Sequence, residues 1–358
     1  MTSARSARRV GVPVVALVLG VFGAAACGRP GPEPAPQALP DRPLGAVDAH
    51  ARARRVGPCP AGSALVPDGC PTPPPGGRPT IGGCPVFPVD NAWNQDVSAA
   101  PVHPNSANFV ATINAAGGRF VHPDFGSNPA YGIPYLVVPA EQAAVPVALG
   151  IYAGESDPGP YPIPVTAPVE AGSDAHVLVV QQGTCHLYEL GRARAGGSGW
   201  TAEVGVDWDL GSNALRPFGW TSADAAGLAI LPGLARYDEV AAGRIDHALR
   251  FTVVDSQRGY VLPATHFASG NTSPNAPPMG LRFRLRADFD RSAYTGQSRV
   301  ILDALATYGM IVADNGSNWY ISGASDPRWD DEDLNQLKGV PGTAFEVVFT
   351  GDVSTVTS

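Results

Sequence analysis

The stretch HVLVVQQGTCHLYEL, residues 176–190, contains two short apolar runs on either side of a turn at Gly183. Each run, His176–Gln181 and Cys185–Leu190, has the length of one β-strand. Six further runs of this kind lie between turn signals: Tyr135–Pro139, Val145–Tyr152, Ala248–Val254, Gly259–Pro263, Leu281–Leu285 and Ala344–Phe349. The pattern predicts an all-β fold of the β-sandwich or jelly-roll kind.

Three segments have a helical pattern instead: Ser106–Ala116, Gln297–Tyr308 and Asp330–Lys338. The last begins with four consecutive acids, which the dipole at a helix N-terminus favours. Gly309–Tyr320 predicts a strand, a turn at Asn315-Gly316 and a second strand. We therefore expect about three short peripheral helices around the strands.

Composition divides the 358-residue chain into a tether and one acidic domain. Residues 28–80 contain 14 Pro and 8 Gly. A stretch of this composition has too little apolar surface to form a packed core. Residues 81–358 carry 15 basic and 28 acidic residues, a net charge of −13, which argues against nucleic-acid binding. We predict a signal peptide over 1–26, a lipidated cysteine and tether over 27–80, one β-rich domain over 81–350, and a tail over 351–358.

The N-terminus has the parts of a secretory signal. A basic segment ending at Arg9 precedes the apolar run Val10–Gly23, and three alanines then lead to Cys27. A cysteine after small residues resembles a bacterial lipobox, although Ala24 stands where leucine is usual. We expect a cell-surface lipoprotein anchored at Cys27, with plain secretion as the alternative.

Four cysteines remain once Cys27 is set aside, an even number that predicts two disulfides in an exported protein. They allow three pairings, of which we expect Cys59–Cys70 and Cys84–Cys185. A zinc site is the rival, but no pair has CxxC spacing.

Four motifs are distinctive: ESDPGPYPIP (155–164), GWTSADAAG (219–227), IDHALRF (245–251) and YGMIVADNG (308–316). Together they resemble a family of secreted bacterial proteins of unassigned activity, over roughly Cys84 to Phe349. The resemblance implies no mechanism, so function has to be argued from the residues.

Two histidines form the first candidate site. If Ala248–Val254 and Gly259–Pro263 form a hairpin, His247 lies opposite His266 at the rim of an apolar interior. Such a pair suits general acid–base work or a metal. The alternative is a structural pair, hydrogen-bonded to the backbone at a strand end.

Carboxylates form the second candidate site. Glu155 and Asp157 would face the same side of an extended segment, and Asp238-Glu239 ends an apolar loop. Either pair could supply the two carboxyl groups of a glycoside hydrolase, and ordinary turn chemistry is the alternative.

His122, Asp124 and His176 add a His-rich metal site as a further option. No HExxH spacing supports it, so we expect no cofactor.

Aromatic and arginine side chains suggest substrate contacts. Tyr161 and Trp220 lie beside turns rich in polar residues, where a sugar ring could stack, although at least half of the tryptophans should be core. Arg282 begins an arginine stripe along one strand that, with Arg250, could pair with uronates. A solvated face is the other interpretation of the stripe.

These features favour an extracellular carbohydrate-active enzyme, a glycoside hydrolase more than a polysaccharide lyase. The rival is a non-catalytic glycan-binding or envelope-structural lipoprotein. The enzyme requires at least two of the six candidate acids and histidines to converge on one pocket, whereas scatter favours the binding module. Either protein would contact a polysaccharide or cell-wall glycan and reach the membrane through its N-terminal lipid alone. Substrate identity and oligomeric state stay open.

Overall fold

The computed structural model describes residues 78–355, all of which fall within one compact unit, Gly62–Ser358. The predicted signal peptide, lipidation site and Cys59–Cys70 disulfide lie outside the described residues, as does most of the tether. Within residues 78–355, no helix is both long and apolar enough to cross a bilayer.

The described chain is mainly β-structure, as predicted. Its strands are β1 (Thr80–Ile81), β2 (Cys84–Pro85), β3 (His122–Pro123), β4 (Tyr135–Val138), β5 (Val147–Leu149), β6 (Val177–Gln181), β7 (His186–Gly191), β8 (Arg194–Gly196), β9 (Gly199–Ala202), β10 (Val204–Asp209), β11 (Leu249–Val253), β12 (Arg282–Leu285), β13 (Met310–Asn315), β14 (Tyr320–Ile321) and β15 (Phe345–Val348). Seven of the eight predicted apolar runs overlap one of these strands.

Four α-helices accompany the strands in the described part of the chain: α1 (Ser106–Ala115), α2 (Tyr237–Ala241), α3 (Gly296–Thr307) and α4 (Asp331–Leu334). Three of them confirm predicted helices, and a 3-10 turn over Asn335–Gly339 continues α4. The Asp330 side chain caps α4 by accepting hydrogen bonds from the N–H groups of Glu332 and Asp333. The five-residue helix α2 is too short to give a periodic signal in the sequence.

The six-stranded sheet has the order β15-β12-β13-β11-β14-β3. Strand β11 lies between β13 and β14, parallel to the first and antiparallel to the second. The predicted hairpin around Asn315-Gly316 is therefore wrong, because β11 separates its two strands. Gly259–Pro263 forms no named strand either; Tyr260 makes single bridges to Met279 and Ser354.

The four-stranded sheet, β10-β7-β6-β4, has a hydrophobic cluster on each face. Along β6, Leu178 and Val180 belong to the large cluster shared with the six-stranded sheet, whereas Val177 and Val179 belong to a smaller one. Strand β6 is therefore buried on both faces, which explains its unbroken apolar run. The smaller cluster includes Trp200 of the three-stranded sheet β5-β9-β8.

The predicted disulfide between Cys84 and Cys185 is confirmed. It ties β2 to the residue before β7, across 101 positions of sequence. The described part of the predicted tail is not loose, because Ser354 exchanges two backbone hydrogen bonds with Tyr260. Five of the six tryptophans are buried, all except Trp220, so most tryptophans are core as expected.

Candidate functional site

Strand β11 of the six-stranded sheet is apolar on one face and polar on the other. On β11, Leu249, Phe251 and Val253 point into the large core, and Arg250 and Thr252 point the opposite way. The polar face therefore begins on a central strand, where neighbouring strands can add side chains on both sides.

A β-bulge in β13 adds a carboxylate to this face. Phe251 pairs with Val312, but Thr252 pairs with Asp314, so Ala313 is an extra residue in the ladder. Without the extra residue, regular alternation of side chains along β13 would have pointed Asp314 towards the core. A shift of one residue moves every later side chain to the opposite face of the sheet. The Ala313 carbonyl accepts a hydrogen bond from the Ala226 N–H, which holds the bulge in place.

Strands β14 and β3 extend the polar face on the other side of β11. Tyr320 pairs with both Thr252 and His122, and the Tyr320 and His122 rings stack with centroids 4.2 Å apart. Ser322, two residues after Tyr320, lies beside Arg250. Asp124 is the residue that directly follows β3. Side chains from four strands thus share one face.

Arg250 is held by a buried ion pair. Its Nε and Nη2 donate to the two carboxylate oxygens of Asp224 at 3.0 and 2.8 Å, and Nη1 donates to the Ser322 hydroxyl at 2.6 Å. Asp224 belongs to the segment 219–227, which folds over the sheet. Gly227 is required there, because it has a φ of 72° and a Cβ would meet the Thr265 hydroxyl at 2.2 Å.

His176 and Glu170 form a second buried pair. His176 Nδ1 lies 2.5 Å from a Glu170 carboxylate oxygen, and Nε2 lies 3.0 Å from the Ala223 carbonyl oxygen. A carbonyl oxygen can only accept, so Nε2 carries a hydrogen. Burial opposes both charges, yet the hydrogen bond between them raises the pKa of His176 and lowers that of Glu170. The contact therefore favours the imidazolium and carboxylate forms, and His176 is not a free base.

These side chains surround a cavity of about 290 Å³, which we call the central cavity. It is lined by the ionisable residues Asp124, Glu170, Asp174, His176, Arg250 and Asp314, together with Tyr131, Tyr320 and Ser322. Burial, with the charge of Asp224, raises the pKa of Asp314 to about 7. Burial also raises the pKa of Asp124. Near neutral pH, Asp314 can therefore hold a proton beside a second carboxyl group.

Two further cavities share walls with the central one. The Lys338 cavity, of about 420 Å³, shares Asp124 and Tyr131 with it. The His266 cavity, of about 390 Å³, shares Asp174, His176 and Asp314 with it. The central cavity therefore adjoins both of the others.

Glu155 and Asp157 do not line these cavities. A Glu155 carboxylate oxygen accepts the Thr221 N–H at 2.8 Å, and Asp157 pairs with Arg216 at 2.8 Å. Both acids hold the loop that carries Trp220, whose ring lies 5.6 Å from the Arg216 guanidinium.

Asp238, Glu239 and His247 lie apart from the cavities too. Asp238 is exposed and pairs with Arg328 at 2.8 Å. Glu239 lies between Arg236 and His247, whose Nε2 is 3.1 Å from its carboxylate. His247 is fully buried, so this group joins α2 to the segment before β11.

His266 does line a cavity, although not opposite His247. The expected hairpin is wrong because β11 pairs with β13 and β14, so the register that matched the two histidines does not exist. His266 Nδ1 donates to the Ala225 carbonyl oxygen at 2.7 Å. A neutral His266 ring therefore keeps Nε2 as an acceptor, in the cavity that Asp314 also lines.

Arg282 does not belong to a solvated stripe. It is buried, and its guanidinium donates to the backbone carbonyls of Tyr308 and Gln95 at 2.8 and 3.2 Å. Arg284 is buried as well and pairs with Glu346. Tyr161 is buried and donates to the Asp157 carbonyl oxygen at 2.6 Å. Among the substrate contacts that the sequence suggested, Arg250 alone lines the central cavity.

The sequence analysis did not select Glu170, Asp174, Asp224 or Asp314. Two of them lie inside motifs that it did single out, Asp224 in GWTSADAAG and Asp314 in YGMIVADNG. A signal was therefore present. The sequence analysis placed Asp314 at the end of a strand, directly before the Asn315-Gly316 turn.

Within residues 78–355, no group of three or more His, Cys, Asp or Glu side chains is placed to hold a metal ion. Comparisons with known proteins give no match: no family model, no curated protein and no solved structure resembles the chain closely enough to report. The geometry of the cavities is therefore the basis for a functional proposal.

Proposed function

We propose that the protein is an extracellular carbohydrate-active enzyme, a glycoside hydrolase that acts on an extracellular polysaccharide. One observation supports this most directly: Asp124 and Asp314 line the same central cavity, and Asp314 keeps its proton to about pH 7. Glycoside hydrolysis needs one protonated and one ionised carboxyl group on either side of the scissile bond.

In this proposal Asp314 is the general acid. It protonates the glycosidic oxygen as the bond to the anomeric carbon breaks, and Asp124 acts on the other side, as base on water or as nucleophile. Neither carboxylate forms an ion pair with a described residue, so no cation competes with the substrate for them, although one Asp314 oxygen accepts the Asn315 N–H at 2.7 Å. The paired residues Arg250–Asp224 and His176–Glu170 form the rigid wall around them.

The surroundings suit a polymer. Three adjoining cavities can accommodate successive sugar units of a chain. Tyr131 is 56% exposed between the central and Lys338 cavities, and Tyr152 is 40% exposed in the His266 cavity. Exposed aromatic faces allow sugar rings to stack while their hydroxyl groups bond sideways.

Lyase chemistry has less support. Elimination from a uronate requires a cation to neutralise the substrate carboxylate, but Arg250 is paired with Asp224 and Arg282 donates to backbone carbonyls. His266 could serve as a base through Nε2, which keeps the lyase as a lesser alternative.

The second candidate function is a non-catalytic glycan-binding or envelope-structural lipoprotein. Of the six acids and histidines that the sequence suggested as catalytic, one, His266, lines the cavities, whereas the three residues of the metal option, His122, Asp124 and His176, all do. That scatter is the outcome expected for a binding module. The enzyme proposal now depends on Asp124 and Asp314 instead.

Export and anchoring at Cys27 belong to the same proposal, as do membership of the secreted family and a sandwich-type packing of the sheets. The Cys84–Cys185 disulfide supports export, because such bonds persist in oxidising compartments. No nucleic acid or cofactor is part of the proposal. Release of a Cys27→Ser variant into the medium, with the parent retained on cells, would test the anchor.

The decisive experiment incubates the oxidised full chain with a polysaccharide panel and follows both new reducing ends and absorbance from unsaturated products. We expect reducing ends without absorbance, lost in Asp314→Asn and Asp124→Asn but kept in Glu155→Gln. Absorbance would indicate elimination instead. Retention on a glycan without any new ends would identify a binding protein and refute the enzyme proposal.

A further inference from the structure

The two proposed catalytic acids lie at the two junctions between the cavities. Asp124 lines both the central and the Lys338 cavities, and Asp314 lines both the central and the His266 cavities. No described residue lines both of the outer cavities. The cavities therefore follow one another in the order Lys338, central, His266, with one acid at each junction.

This order gives the cleft a direction. A general acid protonates the glycosidic oxygen, so it lies on the side of the sugar that leaves, whereas the base or nucleophile faces the anomeric carbon of the other sugar. With Asp314 as the acid, its O–H bond breaks, the proton goes to the glycosidic oxygen, and that oxygen keeps the electron pair of the broken C–O bond. The leaving sugar departs as an alcohol, and water supplies the hydroxyl group at the anomeric carbon on the Asp124 side.

The walls of the His266 cavity include two adjacent apolar side chains, Ile151 and Tyr152. Ile151 is 75% exposed and Tyr152 is 40% exposed. His266 lines the same cavity, and because its Nδ1 donates to the Ala225 carbonyl oxygen, its neutral ring offers Nε2 as an acceptor. An aromatic ring beside a placed hydrogen-bonding group is the combination found in ligand sites.

The turn that carries Tyr152 is held in place by the neighbouring sheet. The Gly150 N–H donates to the Ala202 carbonyl oxygen at 2.8 Å. The Tyr152 N–H donates to the Glu203 carbonyl oxygen at 3.0 Å. The backbone beneath the exposed ring is therefore fixed before any ligand arrives, which lowers the ordering cost of binding.

We infer that the His266 cavity holds the leaving sugar, whose ring stacks on Tyr152 while one of its hydroxyl groups donates to His266 Nε2. The inference rests on the proposed function and adds the direction of the polymer. Its reducing end extends through the His266 cavity, and its non-reducing end extends through the Lys338 cavity. Tyr131, which lines the central and Lys338 cavities, then contacts the sugars on the other side of the scissile bond.

The test uses a leaving group that does not fill the His266 cavity. Two probes are made from the polymer that the parent cleaves in the panel: its tetramer, and the glycosyl fluoride of its dimer, in which fluoride replaces the leaving sugar. For cellulose these are cellotetraose and cellobiosyl fluoride. Tyr152→Ala should lower kcat/KM for the tetramer about five- to thirtyfold, the cost of removing a well-placed aromatic contact, and should change that for the fluoride by less than about twofold.

A second variant tests the histidine. His266→Asn keeps an amide N–H that can donate to the Ala225 carbonyl oxygen, but it removes Nε2. It should lower kcat/KM for the tetramer about three- to tenfold, as for one lost hydrogen bond, and should likewise spare the fluoride.

Three controls assign the effect to the aromatic contact. Tyr152→Phe keeps the ring and should retain most of the activity on the tetramer. Tyr131→Ala should lower kcat/KM for both probes, because both occupy its side of the cleft. Phe120→Ala removes an aromatic side chain that is 52% exposed outside the three cavities, and it should change neither. All constants are taken per folded molecule.

The outcomes separate this inference from the proposed function. An equal loss on both probes in Tyr152→Ala overturns the inference, because the His266 cavity would then hold the sugar that bears the anomeric carbon. No loss on either probe also overturns it, because the cavity would then hold no sugar. Both results leave a glycoside hydrolase, since the parent still cleaves its polymer. A parent that cleaves no polymer in the panel refutes the proposed function itself.

Discussion

Asp314 lies in register with Thr252 because Ala313 occupies an extra position in β13. The bulge turns one carboxyl group from the apolar core to the polar face, where Arg250 and Asp124 also point. Bulges often re-aim a side chain next to an active site. Here the bulge places the proposed general acid.

The first prediction concerns that acid. Asp314→Asn should lower turnover of unactivated glycans by about 10²- to 10⁴-fold, the usual contribution of a general acid. The variant should unfold no more easily than the parent at pH 8, because it removes a carboxylate that burial disfavours. Turnover and chemical denaturation measured on the same preparation check both parts. Unchanged turnover would exclude Asp314 as the acid.

The second prediction concerns pH and stability. Because the pKa of Asp314 is about 7 in the folded state, the folded protein binds more protons than the unfolded chain between about pH 4 and 7. The contribution of Asp314 to the free energy of unfolding should therefore fall as pH rises through this window, by at most about 4 kcal/mol. In Asp314→Asn this decrease of the unfolding free energy with rising pH should be absent. Denaturation of both proteins at several pH values gives the difference, and parallel curves would contradict the prediction.

The third prediction concerns the buried pair. Arg250→Ala should cost about 3–5 kcal/mol of unfolding free energy, because it leaves Asp224 buried without its partner. Asp224→Ala should cost a similar amount, for the converse reason. The double variant should cost clearly less than the sum of the two. A denaturation cycle measures the coupling, and simple additivity would show that the pair is not an energetic unit.

The fourth prediction separates the cavity from the residues that the sequence favoured. His247→Ala should destabilise the fold by about 1–3 kcal/mol, because it removes a buried partner of Glu239, but it should leave turnover per folded molecule unchanged. Glu155→Gln should change neither property much, since a glutamine oxygen can still accept the Thr221 N–H. Turnover is compared after correction for the folded fraction. A large loss of turnover per folded molecule in either variant would show that the residue it replaces, and not the central cavity alone, takes part in the reaction.

Most of the elements could be predicted from the sequence, because short apolar runs and acid-rich helix starts are local signals. The pairing of the strands could not. Insertion of β11 between β13 and β14 is a long-range event, and nothing in residues 309–320 distinguishes a hairpin from two strands kept apart.

The site was harder to predict for a related reason. Its acids come from four separate segments around Asp124, Glu170, Asp224 and Asp314, and no spacing along the chain links them; the sequence suggested Asp124 only as a metal ligand. Regular alternation along β13 would also have pointed Asp314 inward. The bulge that turns this side chain to the polar face is visible only in the structure. Conversely, His247 and Glu239 looked reactive in the sequence but satisfy each other in the interior.

The last prediction concerns the disulfide that the sequence did identify. Cys84 and Cys185 close a loop of about 100 residues, and restricting so long a loop in the unfolded chain stabilises a fold by roughly 4–5 kcal/mol in the chain-entropy model. The double variant Cys84→Ser/Cys185→Ser should lose unfolding free energy of that order. The midpoint of denaturation should fall accordingly. Turnover under strongly native conditions should change little, because the bond lies outside the three cavities. Reduction of the parent protein should produce the same shift in midpoint. A reduced protein as stable as the oxidised one would show that the large hydrophobic core alone holds β2 against the four-stranded sheet.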